Sequence, residues 1–423
     1  AIEGGGMRGC VAAGAAAALE YLGYADGFDA VYGSSAGAVV GAYFVSRQLD
    51  AVDIYTQVLP TAGTAFVNPT NIPKAAFGLQ LPRFMQKQAL ERRRRLRNEF
   101  RRAGSRTPLP VAGQVMSLDL LAEAMLYTRP LRWDVFWRNN QLQPLNVVVS
   151  AVGGPGRPRA RRLSAAGGHF ATPDQLLHCL KASSNVPAAV GPPLRFPAFD
   201  PAREYAAEDR RELLSDALVC EPMPYRSAAA DGCTHVLVLR TRPNGAEVCG
   251  KNQPFYESTM CQRYCTRDYD LPGMADHFGR LDNVRIYADD VLTLNAGNRA
   301  GLAAEGGEEE PRPVPLPAFP EGGAGAGRAA HLLCLAPPAG AEEVAQMSLK
   351  RDKVVDGVRV GFETAYAALA PEALQQRISG RELARQLYPD SLLTAEVDLN
   401  RQVHLAPKEI APNGKPHPFS FFV

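Results

Sequence analysis

Three stretches of the chain are apolar at almost every position instead of at alternate ones: LNVVVSAV at 145–152, HVLVL at 235–239 and HLLCL at 331–335. Runs of that kind predict strands covered on both faces, as in the middle of a parallel sheet. Elsewhere the pattern is helical. Residues 10 to about 21 are dominated by alanine, the strongest helix former, and predict a helix there. Ala38-Val39-Val40-Gly41-Ala42-Tyr43-Phe44 predicts a buried helix, and Val354 to Leu369 another. Ala1-Ile2-Glu3 reads as the end of a strand, and Phe28 to Tyr32 as a short strand. Strands alternating with helices predict an α/β fold on an open, mainly parallel sheet.

Three stretches break this alternation and read as insertions: about 60–115, 245–275 and 300–330. The first contains ERRRRLRNEFRR. The second is polar and carries three cysteines. The third is rich in Gly, Pro and Glu and reads as an unstructured loop. Its proline run also fits a polyproline helix docking an aromatic groove, but a solvated loop is the simpler reading. The outcome is one domain over 1–370 and a C-terminal extension over 371–423, without internal repeats.

Composition narrows this picture only a little. Hydrophobic residues make up 46% of 423 and charged residues 21%, as in soluble globular proteins. A net charge of +2 is too small to imply a polyanionic partner for the whole chain. No apolar run reaches the roughly 18 residues that span a bilayer. The start shows no signal-peptide pattern, lacks Met and falls almost inside a motif. It reads as a fragment or processed form, which leaves room for a targeting segment outside it. Eight cysteines are too sparse for a disulfide scaffold and favour a reducing compartment, so the expected location is intracellular, soluble or peripheral to a membrane. Cys261 and Cys265 are spaced as metal ligands can be, but no paired His or second Cys pair lies beside them.

The chemistry starts at Gly33-Ser34-Ser35-Ala36-Gly37, a G-x-S-x-G pattern between an apolar strand and a small-residue helix. That is the strand–turn–helix setting of a nucleophile elbow. A serine on so sharp a turn leaves no room for side chains two positions away, hence Gly33 and Gly37. Ser35 then stands at a helix N-terminus, whose partial positive charge favours a developing anion. Ser34 fills the variable position and reads as structural.

A second glycine motif, Gly4-Gly5-Gly6-Met7-Arg8-Gly9, satisfies G-x-G-x-x-G. A dinucleotide site would want an acidic residue at the end of the next strand. Asp29 has about the right count but lies at that strand's start, and the serine turn occupies its end. No Gly-Lys-Ser/Thr follows to make a P-loop. Consecutive glycines also build oxyanion holes, where backbone N–H groups face the oxygen that turns negative. With Ser35 some 25 residues on, acyl transfer is the better reading. A nucleophilic serine needs a base. Of seven histidines, His235 begins a strand, His169 follows a Gly-Gly pair and His178 sits in a helical pattern, so each reads as structural.

GGGMRG followed by GSSAG resembles the patatin-like phospholipases. The resemblance implies a three-layer fold, a mainly parallel sheet flanked by helices with long loop insertions. It also implies a Ser–Asp dyad without histidine. The family's aspartate opens a turn followed by a proline and a Thr-His-Val-type strand. The matching stretch is LLSDALVCEPMPYRSAAADGCTHVLVLRTRP, which makes Asp216 the aspartate and Pro224 the proline. LKASSNVPAAVGPP, residues 180–193, resembles the family segment that faces the site. HLLCLAP and the helix ending near Ala368 resemble its closing unit. Ala217 departs from the usual glycine after the aspartate, Glu221-Pro222 stands near a frequent asparagine, and Glu3 replaces a frequent aspartate.

By this resemblance Ser35 attacks an ester carbonyl while Asp216 takes its proton. Gly4, Gly5 and Gly6 with Arg8 form the oxyanion hole, an acyl-enzyme forms, and water releases the fatty acid. No metal or organic cofactor is implied. An ordinary aspartate is a weak base at neutral pH, so burial must raise its pKa or positioning must compensate. The implied substrate is a lipid acyl ester cleaved in phospholipase A fashion, with phospholipid, galactolipid and glyceride all open. Arg92, Arg93, Arg94, Arg95, Arg97, Arg101 and Arg102 would suit an anionic membrane surface, or simply a solvated helix. Two other classes remain: an inactive patatin fold acting as lipid-binding or scaffold protein, and a nucleotide-binding oxidoreductase resting on the glycine turn.

Overall fold

A computed structural model describes residues 1–79, 91, 114–153, 156–195, 212–248, 254–305, 312–317 and 328–394. The described strands are β1 (Val31–Ser34), β2 (Leu145–Ala151), β3 (Arg159–Leu163), β4 (Leu194–Arg195), β5 (Leu213–Ser215), β6 (His235–Leu239), β7 (Val314–Pro315) and β8 (Ala329–Leu335). The three continuous apolar runs form β2, β6 and β8. β1 and β2 pair in parallel, as do β6 and β8. Ile2 joins the two pairs through parallel bridges to Gly33 and Leu239. The margins are antiparallel: β3 and β5 on β2, β4 on β5, and β7 on β8.

The sheet's alternation sorts its side chains into two cores. Val31, Val147 and Leu239 face α1 (Gly9–Tyr21), α2 (Ala36–Val45) and the helix Arg351–Leu369. Tyr32, Val236, Val238 and Leu332 face the helices Tyr225–Ala230 and Asp282–Glu305. The result is three layers, helix on sheet on helix. α1 is buried along its whole length, which suits a helix that is apolar on every side.

One feature of the sheet positions the site. Ser150 of β2 pairs with Ala160 on one side and with Ser215 on the other. β5 therefore lies along the same edge of β2 as β1. β1 runs parallel to β2 and ends at Ser34, opposite Val148. β5 runs antiparallel and ends at Ser215, opposite Ser150. The two strands meet head to head, and the residue after each faces the gap. Those residues are Ser35 and Asp216.

Several expectations need correction. The first short strand starts at Val31, not Phe28, because pairing with β2 begins there and Asp29 stays in solvent. Gly33 and Ser34, expected in a turn, belong to β1, because Gly33 is paired on both sides, with Val147 and Ile2. In the stretch read as an unstructured loop, the helix Asp282–Glu305 runs five residues past 300, and Val314–Pro315 adds to the sheet. Within the stretch read as an extension, Leu383, Leu387, Tyr388 and Leu392 pack into the same core as α1. The arginines from Arg92 to Arg102 lie outside the described residues.

Candidate active site

Ser35 has φ 52° and ψ −122°, a conformation that costs an L-residue about 1–3 kcal/mol and persists only where its surroundings enforce it. The surroundings here are close-packed backbone. A Cβ on Gly37 would stand 2.2 Å from the Ile2 carbonyl oxygen, and one on Gly33 would stand 2.4 Å from Ala38 Cα. α2 begins at the very next residue, Ala36. The Ser35 N–H donates to Ser183 Oγ at 2.7 Å, and that hydroxyl donates to the Val148 carbonyl. Ser34 points the other way, its Oγ donating to the Glu221 carbonyl at 2.7 Å.

Asp216 is fully buried. Its Oδ2 accepts a hydrogen bond from Ser35 Oγ at 2.8 Å. Its Oδ1 accepts the Leu218 N–H at 2.8 Å, capping the single 3-10 turn Ala217–Val219. The Asp216 N–H in turn donates to the Asn185 carbonyl. Burial raises the carboxyl pKa to about 7, and the bonds from Leu218 and Ser35 pull it back only in part. Ala217 is not among the positive-φ residues, so this turn does not call on a glycine's backbone freedom.

The glycine turn stands against the elbow: a Cβ on Gly4 would meet Ser35 Cβ at 3.0 Å. The expected trio of amides is reduced to two, however. The Gly4 N–H donates to the Pro222 carbonyl at 3.1 Å, which removes it as an oxyanion donor. Gly5 and Gly6 adopt φ of 149° and 58°, and their N–H groups meet no acceptor among the described residues. The buried Arg8 guanidinium forms an ion pair with Glu343, and its Nε finds no partner among the described residues. Asp29 precedes β1, at the far end of the strand from this turn. That geometry does not fit a ribose-binding carboxylate.

Pattern reading missed what holds this turn in place. Glu343 and Gln346 lie in the segment between β8 and the helix Arg351–Leu369. Glu343 pairs with Arg8 and, at 2.9 Å, with Arg242. The Gln346 carbonyl accepts the Met7 N–H at 2.9 Å. From below, buried Glu3 accepts the Thr241 N–H and the Tyr287 hydroxyl. Replacing Glu343 with Gln keeps its shape and removes the charge shared by two arginines. The expected result is a kcat loss of roughly ten- to hundredfold with KM nearly unchanged, because small displacements of a reacting geometry cost about that much. Steady-state kinetics on a soluble ester checks this.

A family profile described as Patatin-like phospholipase matches residues 1–229, a span that includes both Ser35 and Asp216. The chain belongs to the patatin-like phospholipase family. No curated protein matches it. Among solved structures, the crystal structure of VipD from Legionella pneumophila is similar at 16% identity and a TM-score of 0.26. That match covers 51% of this chain and 44% of VipD, so the patatin-like chain aligns with less than half of that protein. β6 and β8 lie beyond the matched residues, yet they share the sheet of the matched part.

Other candidate residues take up structural positions. Cys261 and Cys265 sit in an apolar cluster with Val219, Tyr264 and Phe278, and burial raises both thiols. Among the described residues, no three His, Cys, Asp or Glu gather as a metal site would require. His277, which pattern reading passed over, is buried and its Nε2 lies 2.7 Å from the Val219 carbonyl, behind the Asp216 turn. Glu221, one of the departures from the family pattern, is buried and accepts hydrogen bonds from Ser227.

Proposed function

We propose that this chain is a lipid acyl hydrolase that cleaves fatty acyl esters through Ser35 and Asp216. The observation that carries this reading is the direct 2.8 Å hydrogen bond from Ser35 Oγ to a buried carboxylate. A hydroxyl so placed can pass its proton to Asp216 Oδ2 while Oγ forms a bond to the ester carbonyl carbon. The raised carboxyl pKa of about 7 makes this aspartate a far better base near neutrality than an exposed one. The carbonyl oxygen gains negative charge and is met by the Gly5 and Gly6 N–H groups, with the positive end of α2 behind Ser35. Asp216 then returns the proton to the departing alcohol, leaving an acyl-Ser35. Water, deprotonated by Asp216, attacks that acyl carbon, and the proton goes back to Ser35 as the fatty acid leaves.

Lipid rather than small-ester specificity rests on family membership. The test is fluorophosphonate labelling of the full chain, with fatty acid release from phosphatidylcholine, galactolipid and diacylglycerol in mixed micelles. Labelling of Ser35, located by peptide mapping, and release from at least one lipid are expected. A folded chain that neither labels nor releases fatty acid would overturn the reading.

A further inference from the structure

Three large apolar side chains stand in solvent on one side of the candidate site. Phe77 is 57% exposed, Leu79 63% and Phe255 49%. They come from two different segments, the end of the helix Ile72–Phe77 and the start of the helical turn Tyr256–Cys261. The Phe77 and Phe255 rings nevertheless touch, with centroids 6.0 Å apart. Gly78 closes the first helix in a left-handed conformation, against the Arg263 guanidinium. Phe77 and Phe255 therefore form one surface, and Leu79 follows two residues on from Phe77.

Its location is specific. Tyr256, next to Phe255, donates its hydroxyl to the Pro187 carbonyl at 3.0 Å, and the Asp216 charge helps raise its pKa. Cys261 and Tyr264, from the same stretch, pack on Val219 and Cys220 of the Asp216 turn. The exposed rings thus stand on the segment that packs against the Asp216 turn. Lys74 and Arg267 are exposed on these two segments. The chain continues from Leu79 toward seven arginines between Arg92 and Arg102.

We infer that Phe77, Leu79 and Phe255 form a membrane-docking surface that inserts into the lipid interface and brings the dyad to its substrate. The inference rests on the lipid hydrolase reading. Exposed aromatic and aliphatic tips bordered by basic side chains suit an interface with an apolar interior and an anionic face.

The experiment compares the full chain with Phe77→Ser, Leu79→Ser, Phe255→Ser and the triple variant. Sedimentation is measured with sucrose-loaded vesicles of pure phosphatidylcholine and of phosphatidylcholine with phosphatidylglycerol. Turnover of a soluble short-chain ester and fluorophosphonate labelling are followed in parallel. The expected result is at least about tenfold weaker vesicle binding for the triple variant, and weaker hydrolysis of vesicle lipid. Soluble-ester turnover and labelling stay unchanged. Should the triple variant fold poorly, Leu79→Asp alone, at the most exposed position, gives the same readout. Vesicle binding equal to wild type, or binding that needs phosphatidylglycerol and ignores the three substitutions, overturns the inference. So does a wild-type dimer in sedimentation velocity that the triple variant abolishes. Loss of labelling in the wild type would instead strike the hydrolase reading, while the vesicle comparison still tests the surface.

Discussion

Ser35→Ala and Asp216→Asn should each lower kcat for a soluble ester by about three to four orders of magnitude, with KM within a few-fold of wild type. In the proposed mechanism Ser35 Oγ is the atom that bonds to the acyl carbon, and Asp216 is its hydrogen-bond partner at 2.8 Å. An asparagine at 216 can still cap the Leu218 N–H, so the turn keeps its shape. It cannot take a proton from Ser35, and its NH2 would donate toward the nucleophile. The double variant should be no worse than the poorer single, because the two side chains act as one unit. What remains should come from positioning and from the Gly5 and Gly6 amides. Fluorophosphonate labelling should vanish in Ser35→Ala and slow strongly in Asp216→Asn. Additive losses, or an Asp216→Asn enzyme keeping a tenth of wild-type kcat, would sink the dyad.

The parts of this site that could be read in the sequence are those dictated by local sterics. A serine flanked by Gly33 and Gly37 between strand and helix admits few conformations, and the strained φ of Ser35 follows from that crowding. The apolar runs at 145–152, 235–239 and 331–335 likewise predict covered strands, because a run without alternation has no polar face to leave in water. The arrangement that joins Ser35 to Asp216 is a different matter. It depends on β5 sharing an edge of β2 with β1, across a sequence separation of 181 residues. Only the resemblance of the flanking residues located Asp216.

The glycine turn was legible as a motif but not as a set of free donors. Which of the three amides remain free is decided by Pro222, more than two hundred residues away, whose carbonyl takes the Gly4 N–H. Glu343 is 335 residues from Arg8 and lies in a segment with no periodic pattern to mark it. A single glutamate bridging two arginines leaves no trace in local composition. The stretch 300–330 misled for the opposite reason. Its Gly and Pro content is real, but Val314–Pro315 needs only two residues of pairing to join an edge. The end of the chain misled through its polarity. The segment GRELARQL looks solvated, yet Leu383, Ala384 and Leu387 all fall on one buried face.

In the proposed mechanism Asp216 also ties activity to stability, with opposite signs. Its folded-state pKa of about 7 lies above the ordinary value of 3.8. A carboxyl raised in this way favours the fold most below about pH 4, where it is protonated in both states. That advantage falls from about pH 4, as the unfolded carboxyl ionises while the buried one keeps its proton, and it is fully lost once pH has risen through 7. The rise from 3.8 to about 7 corresponds to roughly 4 kcal/mol. Asp216→Asn cannot ionise, so it should match wild type at pH 4 and exceed it by a few kcal/mol above pH 8. At this chain length that is a Tm gain of several degrees. Buried Glu221, Asp290 and Asp53 are raised as well, so the wild-type profile alone would mix several groups. The difference between wild type and Asp216→Asn isolates one. Wild-type kcat/KM should run the other way, rising with an apparent pKa near 7 to a plateau as the base deprotonates. Paired melts and rate profiles from pH 4 to 9 check both limbs. A variant no more stable than wild type at pH 8.5, with a wild-type rate flat across pH 7, would show that Asp216 does not titrate as its burial dictates.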